Sequence, residues 1–259
     1  MKKIFIYIII TVALFSSSCK NHVPAHGGPV IEPDYILSNF MNFWAYWYYD
    51  VRLSEDFVPY NEDDSLVSKD FFLKKVLSGD YLPLKLKSTD SSSYYKLYKI
   101  KKPVDSSITA NIIRFGEEYY QFFKMEGKPL PVFNFVDVNG KVYNKENCNG
   151  KIVVLNFWFI GCTACKEEMP DLNKLVASYK NRDDVVFVSI APDKVDSLKK
   201  FLQKTPFNYA AVSDINHLTR TLNIYSFPTQ MIVNRKGQIA KVPEDDKQLA
   251  IELRKELLK

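Results

Sequence analysis

Cysteine and histidine are scarce in this chain, with four and three copies in 259 residues. Four cysteines cannot staple a fold of this size, so a disulfide framework is excluded and each cysteine needs its own explanation. The histidines, His22, His26 and His217, are scattered, and no second C-x-x-C accompanies Cys162 and Cys165, so a zinc ligand set is missing and no metal is expected. There is no run of five or six like charges, and 35 basic against 30 acidic residues leave a net charge of +5, which speaks against a nucleic-acid partner. No apolar stretch approaches the roughly 20 residues needed to cross a bilayer. What remains is the composition of ordinary folded domains, 46% hydrophobic and 25% charged, in a chain long enough for two of them.

Residues 1–18 differ in kind. Lys2 and Lys3 precede an apolar run over 4–15, and Ser16, Ser17 and Ser18 lead to Cys19. This is the pattern of a secretory signal. Small residues before Cys19 resemble a bacterial lipobox, although Ser16 stands where leucine is usual. The resemblance implies cleavage before Cys19, lipid attachment to its sulfur, and anchoring to a membrane of the bacterial cell envelope, facing the periplasm. Secretion with a free Cys19 is the alternative. Residues 20–32, with His22, Pro24, His26, Gly27, Gly28 and Pro29, read as a flexible tether.

Beyond the tether the composition changes. Of the chain's 37 aromatic residues, 21 fall between Tyr35 and Phe123, too many for solvated chain, so residues 33–126 form an aromatic-rich α+β domain with its own core. Apolar spacing of three and four predicts a helix over 33–52, opened by Pro33. A second helix is expected between Ser68 as N-cap and Gly79 as terminator. Short segments rich in aromatic and β-branched residues, 81–86, 94–100, 108–115 and 118–123, predict an antiparallel sheet.

Gly127, Pro129 and Pro131 mark a junction, and residues 127–259 form the second domain. Strands over 132–138, 152–159 and 185–191 alternate with helices over 162–179 and 195–205. A helix over 216–222, strands over 229–234 and 238–242 and a helix over 245–258 complete a sheet flanked by helices. At its centre an apolar strand runs directly into a helix that opens with Cys162, Thr163, Ala164, Cys165. A cysteine at a helix N-terminus faces unpaired N–H groups and the positive end of the helix dipole, which stabilise a thiolate. Cys162 is therefore the expected nucleophile. Cys165, one turn on, is placed to attack a mixed disulfide from inside and resolve it. Cys148 is left over and reads as structural.

A lone C-x-x-C is only moderately specific, so the surroundings decide. Trp158 stands four before Cys162, Pro170 eight after it, and Phe227, Pro228 and Thr229 precede a strand. With these residues the segment 127–259 resembles the thioredoxin superfamily, in particular the membrane-anchored branch similar to TlpA and ResA. The resemblance implies an α/β thioredoxin fold, a central mixed sheet flanked by helices, preceded by the smaller α+β domain. It implies thiol-disulfide exchange with protein substrates, acting as a reductant, supplied by an upstream membrane or extracytoplasmic electron donor. No bound cofactor is implied beyond a redox-active disulfide between Cys162 and Cys165. Pro228 matches the family's cis-proline, Phe227 would offer backbone hydrogen bonds to an extended substrate, Trp158 would pack beneath the disulfide, and Thr163 and Ala164 would supply N–H groups that tune the thiolate. Three departures stand out: Asn156 where thioredoxins keep a buried aspartate, Gly161 in place of tryptophan, and Thr163-Ala164 in place of Gly-Pro. Glu167 and Glu168 read as solvent-facing. Two rivals are a peroxiredoxin-like peroxidase, against which Phe159 stands three before Cys162, and a non-catalytic surface lipoprotein binding a partner through residues 33–126.

Overall fold

The computed structural model describes residues 26–213 and 217–259, so the expected signal, Cys19 and the first part of the expected tether lie outside the described residues. The end of that tether is not free chain. Residues His26–Pro29 form strand β1, paired antiparallel with a later strand, His26 opposite Ser88 and Pro29 opposite Leu86. Glycine and proline give this stretch the composition of a linker, but at the edge of a sheet the donor that proline lacks is not needed.

The helix expected over 33–52 forms in two pieces, α1 (Pro33–Ile36) and α2 (Phe40–Asp50). The break falls at Asn39, whose side chain accepts the backbone N–H of Asn42 at 2.9 Å and caps α2. Strand β2 (Phe57–Tyr60) follows, then α3 (Lys69–Leu77), capped by Ser68. Strands β3 (Tyr81–Ser88) and β4 (Ser93–Lys99) pair antiparallel, but β2 runs parallel to β4, so the sheet, in the order β1-β3-β4-β2, is mixed.

A larger correction concerns the strands expected at 108–115 and 118–123, which are one helix, α4 (Ser106–Met125). Asp105 caps its start by accepting the N–H of Ser107, and the buried residues Ile108, Ile112 and Gly116 recur every four positions. Aromatic and β-branched content favours strand here, period favours helix, and the period wins because it decides which residues can be buried together. At Gly116 a Cβ would lie 2.8 Å from the Cα of Leu77, so only glycine lets α4 approach the backbone of α3. Beneath, Phe43, Trp47, Phe72, Tyr95 and Leu97 form the core of this half.

In the second half come β5 (Asn134–Val136), β6 (Val142–Asn144), β7 (Ile152–Phe157), α5 (Thr163–Ser178), β8 (Val185–Ala191), α6 (Val195–Leu202), β9 (Ala210–Ser213), α7 (His217–Thr221), β10 (Thr229–Val233), β11 (Ile239–Lys241) and α8 (Asp246–Leu257). The expected strand 132–138 shortens to β5, while β2, β6 and β9 have no counterpart in the sequence reading. Strands β11-β10-β7-β8-β9 make one sheet in that order, with β7, β8 and β9 parallel and β10 antiparallel to both neighbours. All six residues of β7 are buried, which marks a central strand covered on both faces. Met169, Leu172, Leu198, Leu249 and Leu253 from α5, α6 and α8 cover one face. Leu218, Phe135, Tyr143 and, from the first half, Phe122 and Met125 cover the other. This is the thioredoxin fold, a mixed sheet flanked by helices.

Polar contacts tie the halves together. The N–H and hydroxyl of Ser54 donate to Glu244 Oε1 at 3.0 and 2.8 Å. Lys241 on β11 is buried between Asp56 at 3.0 Å and Glu126 at 3.5 Å. Burial alone would lower its pKa, but the two carboxylates outweigh that and hold the ammonium charged. Gln121 on α4 donates to the carbonyls of Leu222 and Asn223.

Candidate active site

Strand β7 delivers the chain to Trp158, which is fully buried and packs on Phe201 and Phe207 at ring distances of 5.4 and 5.7 Å. It belongs to the same buried core cluster as Cys162 and Cys165. The chain then turns through Phe159, Ile160 and Gly161. The N–H of Ile160 donates to Asp193 Oδ2 at 3.0 Å, which fixes the turn from the connection between β8 and α6. A Cβ on Gly161 would lie 3.1 Å from the Phe159 ring, so that ring fills the space a larger residue would take.

Cys162 is the N-cap of α5, and its Sγ accepts the N–H of Cys165 at 3.1 Å. The two sulfurs form a disulfide, with Cα atoms 5.3 Å apart. When the pair is reduced, the same N–H and the dipole of a helix of 16 residues face the Cys162 sulfur. Both cysteines are buried, Cys162 at 6% exposure and Cys165 at 3%, while Thr163 and Ala164 between them are exposed and form the outer rim. The Phe227–Pro228 peptide is cis. Register places it, because Thr229 pairs with Phe157 across β10 and β7, which brings Pro228 level with Trp158 at the end of the sheet that carries Cys162. The Phe227 ring meets Phe159 edge-on at 5.5 Å.

Three residues escape the sequence reading as parts of the site: Glu168, Gln230 and Asp193. Asn156 is buried on β7 and faces Gln230 across the strand pair. The Gln230 side chain in turn donates to Glu168 Oε2 at 3.3 Å. Glu168 is therefore not the solvent-facing residue expected; Glu167 is exposed, whereas Glu168 turns toward the sheet. Burial pushes the Glu168 carboxyl up to about 7, the Gln230 hydrogen bond opposes that, and Asp246 and Asp245 reinforce it. One signal could have found it: Glu168 lies three residues after Cys165, on the same helix face. Asp193 and Gln230 carry no comparable local pattern. Lys166 is exposed, and Pro170 lies inside α5. Cys148 sits apart, a buried free thiol packed with Leu130, Phe135 and Tyr143 on the opposite face of the sheet, its pKa pushed up by burial.

A profile of the AhpC/TSA family matches residues 126–242, a span that holds both cysteines and Pro228. The thiol-disulfide oxidoreductase ResA of Bacillus thuringiensis subsp. konkukian (strain 97-27) is 30% identical over 119 residues, 45% of this chain and 68% of that protein. The thioredoxin-like protein YneN of Bacillus subtilis (strain 168) is 29% identical over 119 residues, 45% of this chain and 70% of its own. A thiol:disulfide interchange protein from Chlorobium tepidum TLS, known from its crystal structure, aligns over 50% of this chain and 96% of its own at 24% identity, with a TM-score of 0.45. With a C-x-x-C pair seated at the head of α5 and a relative of this similarity, the chain belongs to the thioredoxin-like family of thiol-disulfide oxidoreductases that includes ResA.

Proposed function

We propose that the protein is an extracytoplasmic reductant of protein disulfides, held to the membrane of a bacterial cell envelope by lipid on Cys19. The observation that carries the redox reading is the Cys162 sulfur at the head of α5, 3.1 Å from the Cys165 N–H. In the reduced protein the Cys162 thiolate attacks one sulfur of a substrate disulfide. A bond forms between Cys162 and that sulfur, and the other substrate sulfur leaves as a thiolate and takes a proton from water. Cys165 then loses its proton and attacks Cys162, which forms the Cys162–Cys165 disulfide and releases the second substrate sulfur as a thiol. Two electrons pass to the substrate, and an upstream dithiol donor must return them. Asn156 cannot accept the Cys165 proton. Glu168, one helical turn beyond Cys165 with its carboxyl near 7, is the group placed to do so. Exposed Thr163 and Ala164, with the backbone of Phe227 beside Pro228, flank the path of an extended substrate.

The deciding experiment is Cys165→Ala expressed in a cell envelope. Removal of the resolving sulfur traps substrate on Cys162, and mass spectrometry of the adduct identifies it; recovery of the variant with Cys162 as a free thiol under oxidising conditions would refute the reading. Cys19→Ser is expected to move the protein from the membrane to the soluble fraction. The AhpC/TSA match keeps one rival in view, a peroxidase. Stopped-flow fluorescence of Trp158 after stoichiometric peroxide separates the two, with oxidation over minutes expected and oxidation within seconds favouring the rival.

A further inference from the structure

Between the two halves lies a cleft of about 600 Å³ that opens at the redox site, with Ala164, Glu168 and Pro228 on one side and Trp44, Tyr48 and Phe115 on the other. We infer that the first half of the chain forms one wall of the substrate groove, and that this wall selects extended polypeptide segments carrying an aromatic and a basic residue beside the reacting cysteine. This rests on the disulfide-reductant reading above and adds a substrate preference to it.

The aromatic part of the inference comes from what stands in the cleft. Trp44 packs on Phe115 at 5.9 Å and Trp47 stacks on Phe115 at 4.9 Å, so the back of the wall is a fixed layer of rings. In front of it Tyr48 and Tyr49, edge to face at 4.9 Å, remain 62% and 72% exposed. A single exposed ring is ordinary, but a contiguous set lining a concavity marks a binding surface, and paired rings favour a third in the same geometry. All of these rings except Phe115, which α4 supplies, lie on α2, and the cap at Asn39 together with the packing of Phe43 and Trp47 holds that helix in place. The wall is therefore preformed and need not be ordered by the substrate.

The basic part comes from charge. The chain as a whole carries +5, yet the cleft is lined by Glu118, Glu168, Glu244 and Asp245 against Arg52 and Lys247. Arg52 donates to the carbonyls of Tyr48 and Val51 and lies 3.9 Å from Glu244, so these two charges offset each other and leave Glu118, Glu168 and Asp245 against Lys247. A cation entering the cleft meets carboxylates with little opposing charge, while an acidic residue is repelled. The occupant is a polypeptide and not a small thiol, because a cysteine residue joined to Cys162 carries neighbours on both sides of its sulfur, one for the rings and one for the carboxylates that line the cleft.

Kinetics on two peptides test this. Each carries one cysteine disulfide-linked to mercaptoethanol; phenylalanine and lysine flank it in the first, glycine and glutamate in the second. Hydroxyethyl disulfide, which carries neither an aromatic ring nor a charge, serves as the reference substrate. Reduced wild-type protein is expected to favour the first peptide about tenfold in kcat/KM. In the Tyr48→Ser, Tyr49→Ser double variant that ratio should fall to below about threefold. Because both peptides meet the same preparation, the ratio is insensitive to partial unfolding. A wild-type protein that reduces hydroxyethyl disulfide without preferring the first peptide, or a double variant that keeps the preference, overturns the inference and leaves the redox reading standing. A wild-type protein that reduces none of the three overturns both.

Discussion

The core of the first half of the molecule is richer in rings than that of the second, where aliphatic side chains predominate and stack on one buried strand. In the first, Phe57 meets Phe72 and Tyr95 edge-on at 5.3 and 5.2 Å, and α3 and α4 touch through the missing side chain of Gly116. In the second, β7 is apolar at nearly every position and leads through the short turn at Phe159, Ile160 and Gly161 into the helix that carries the sulfurs. The contrast separates two tasks. A buried strand that ends at a helix N-terminus gives one atom a fixed place and a favourable potential, whereas a core of rings gives a broad surface whose overflow, Tyr48 and Tyr49, faces the site.

The largest effect that could break this division is on chemistry. Cys162→Ser is expected to lower disulfide reduction by about 10³-fold or more, because hydroxyl replaces the sulfur that must form and break the bond. Initial rates of insulin reduction measure it, and activity within tenfold of wild type would mean that the nucleophile lies elsewhere. In the first half the matching effect is on stability. Phe72→Ala should cost about 3–5 kcal/mol through the cavity it leaves, read from the urea midpoint. Gly116→Ala sharpens the comparison because two effects oppose each other: alanine favours the helix by about 1 kcal/mol, but its Cβ meets a backbone that cannot swing away. A net loss of about 1–3 kcal/mol is expected, and a gain would show that α3 and α4 can separate freely.

The smallest effect belongs to Glu168. Its carboxyl titrates near 7 in the folded protein and at 4.5 in the unfolded chain, so the folded state binds more protons between those values and stability falls as pH rises through that window. Glu168→Gln removes this dependence. Urea titrations at the two ends of the window should show the slope reduced by ~1 kcal/mol, a figure discounted for the part of the carboxyl that water reaches. A variant with the wild-type slope would place the titration in another group.

Legibility in the sequence followed the number of independent signals at each place. Around Cys162 the signals agree: an apolar strand, a C-x-x-C, Trp158 before it, Pro170 after it and Phe227-Pro228-Thr229 downstream, and the fold of this half could be read from them. In residues 106–125 two signals conflict, since Phe115, Tyr119 and Phe122 suggest strand by type while Ile108, Ile112 and Gly116 specify helix by spacing. Residues 26–29 show a third case, where glycine and proline suit a loop in isolation but also an edge strand once a partner is present, and the partner lies about sixty residues away. The aromatic wall was least legible of all, because nothing in the local pattern of Tyr48 and Tyr49 says which distant element they face.

One feature of the fold bears on how the molecule behaves in company. The stretch from Gly127 to Val138 touches both margins of the catalytic sheet: the N–H of Gly127 binds Ile239 on β11 at 2.8 Å, and the N–H of Val138 binds Ala211 on β9 at 2.8 Å. Open margins invite a neighbouring chain to add strand after strand. Here a single strap hems both, so copies crowded side by side meet without templating one another, and a scission within that strap would expose two sticky flanks at once.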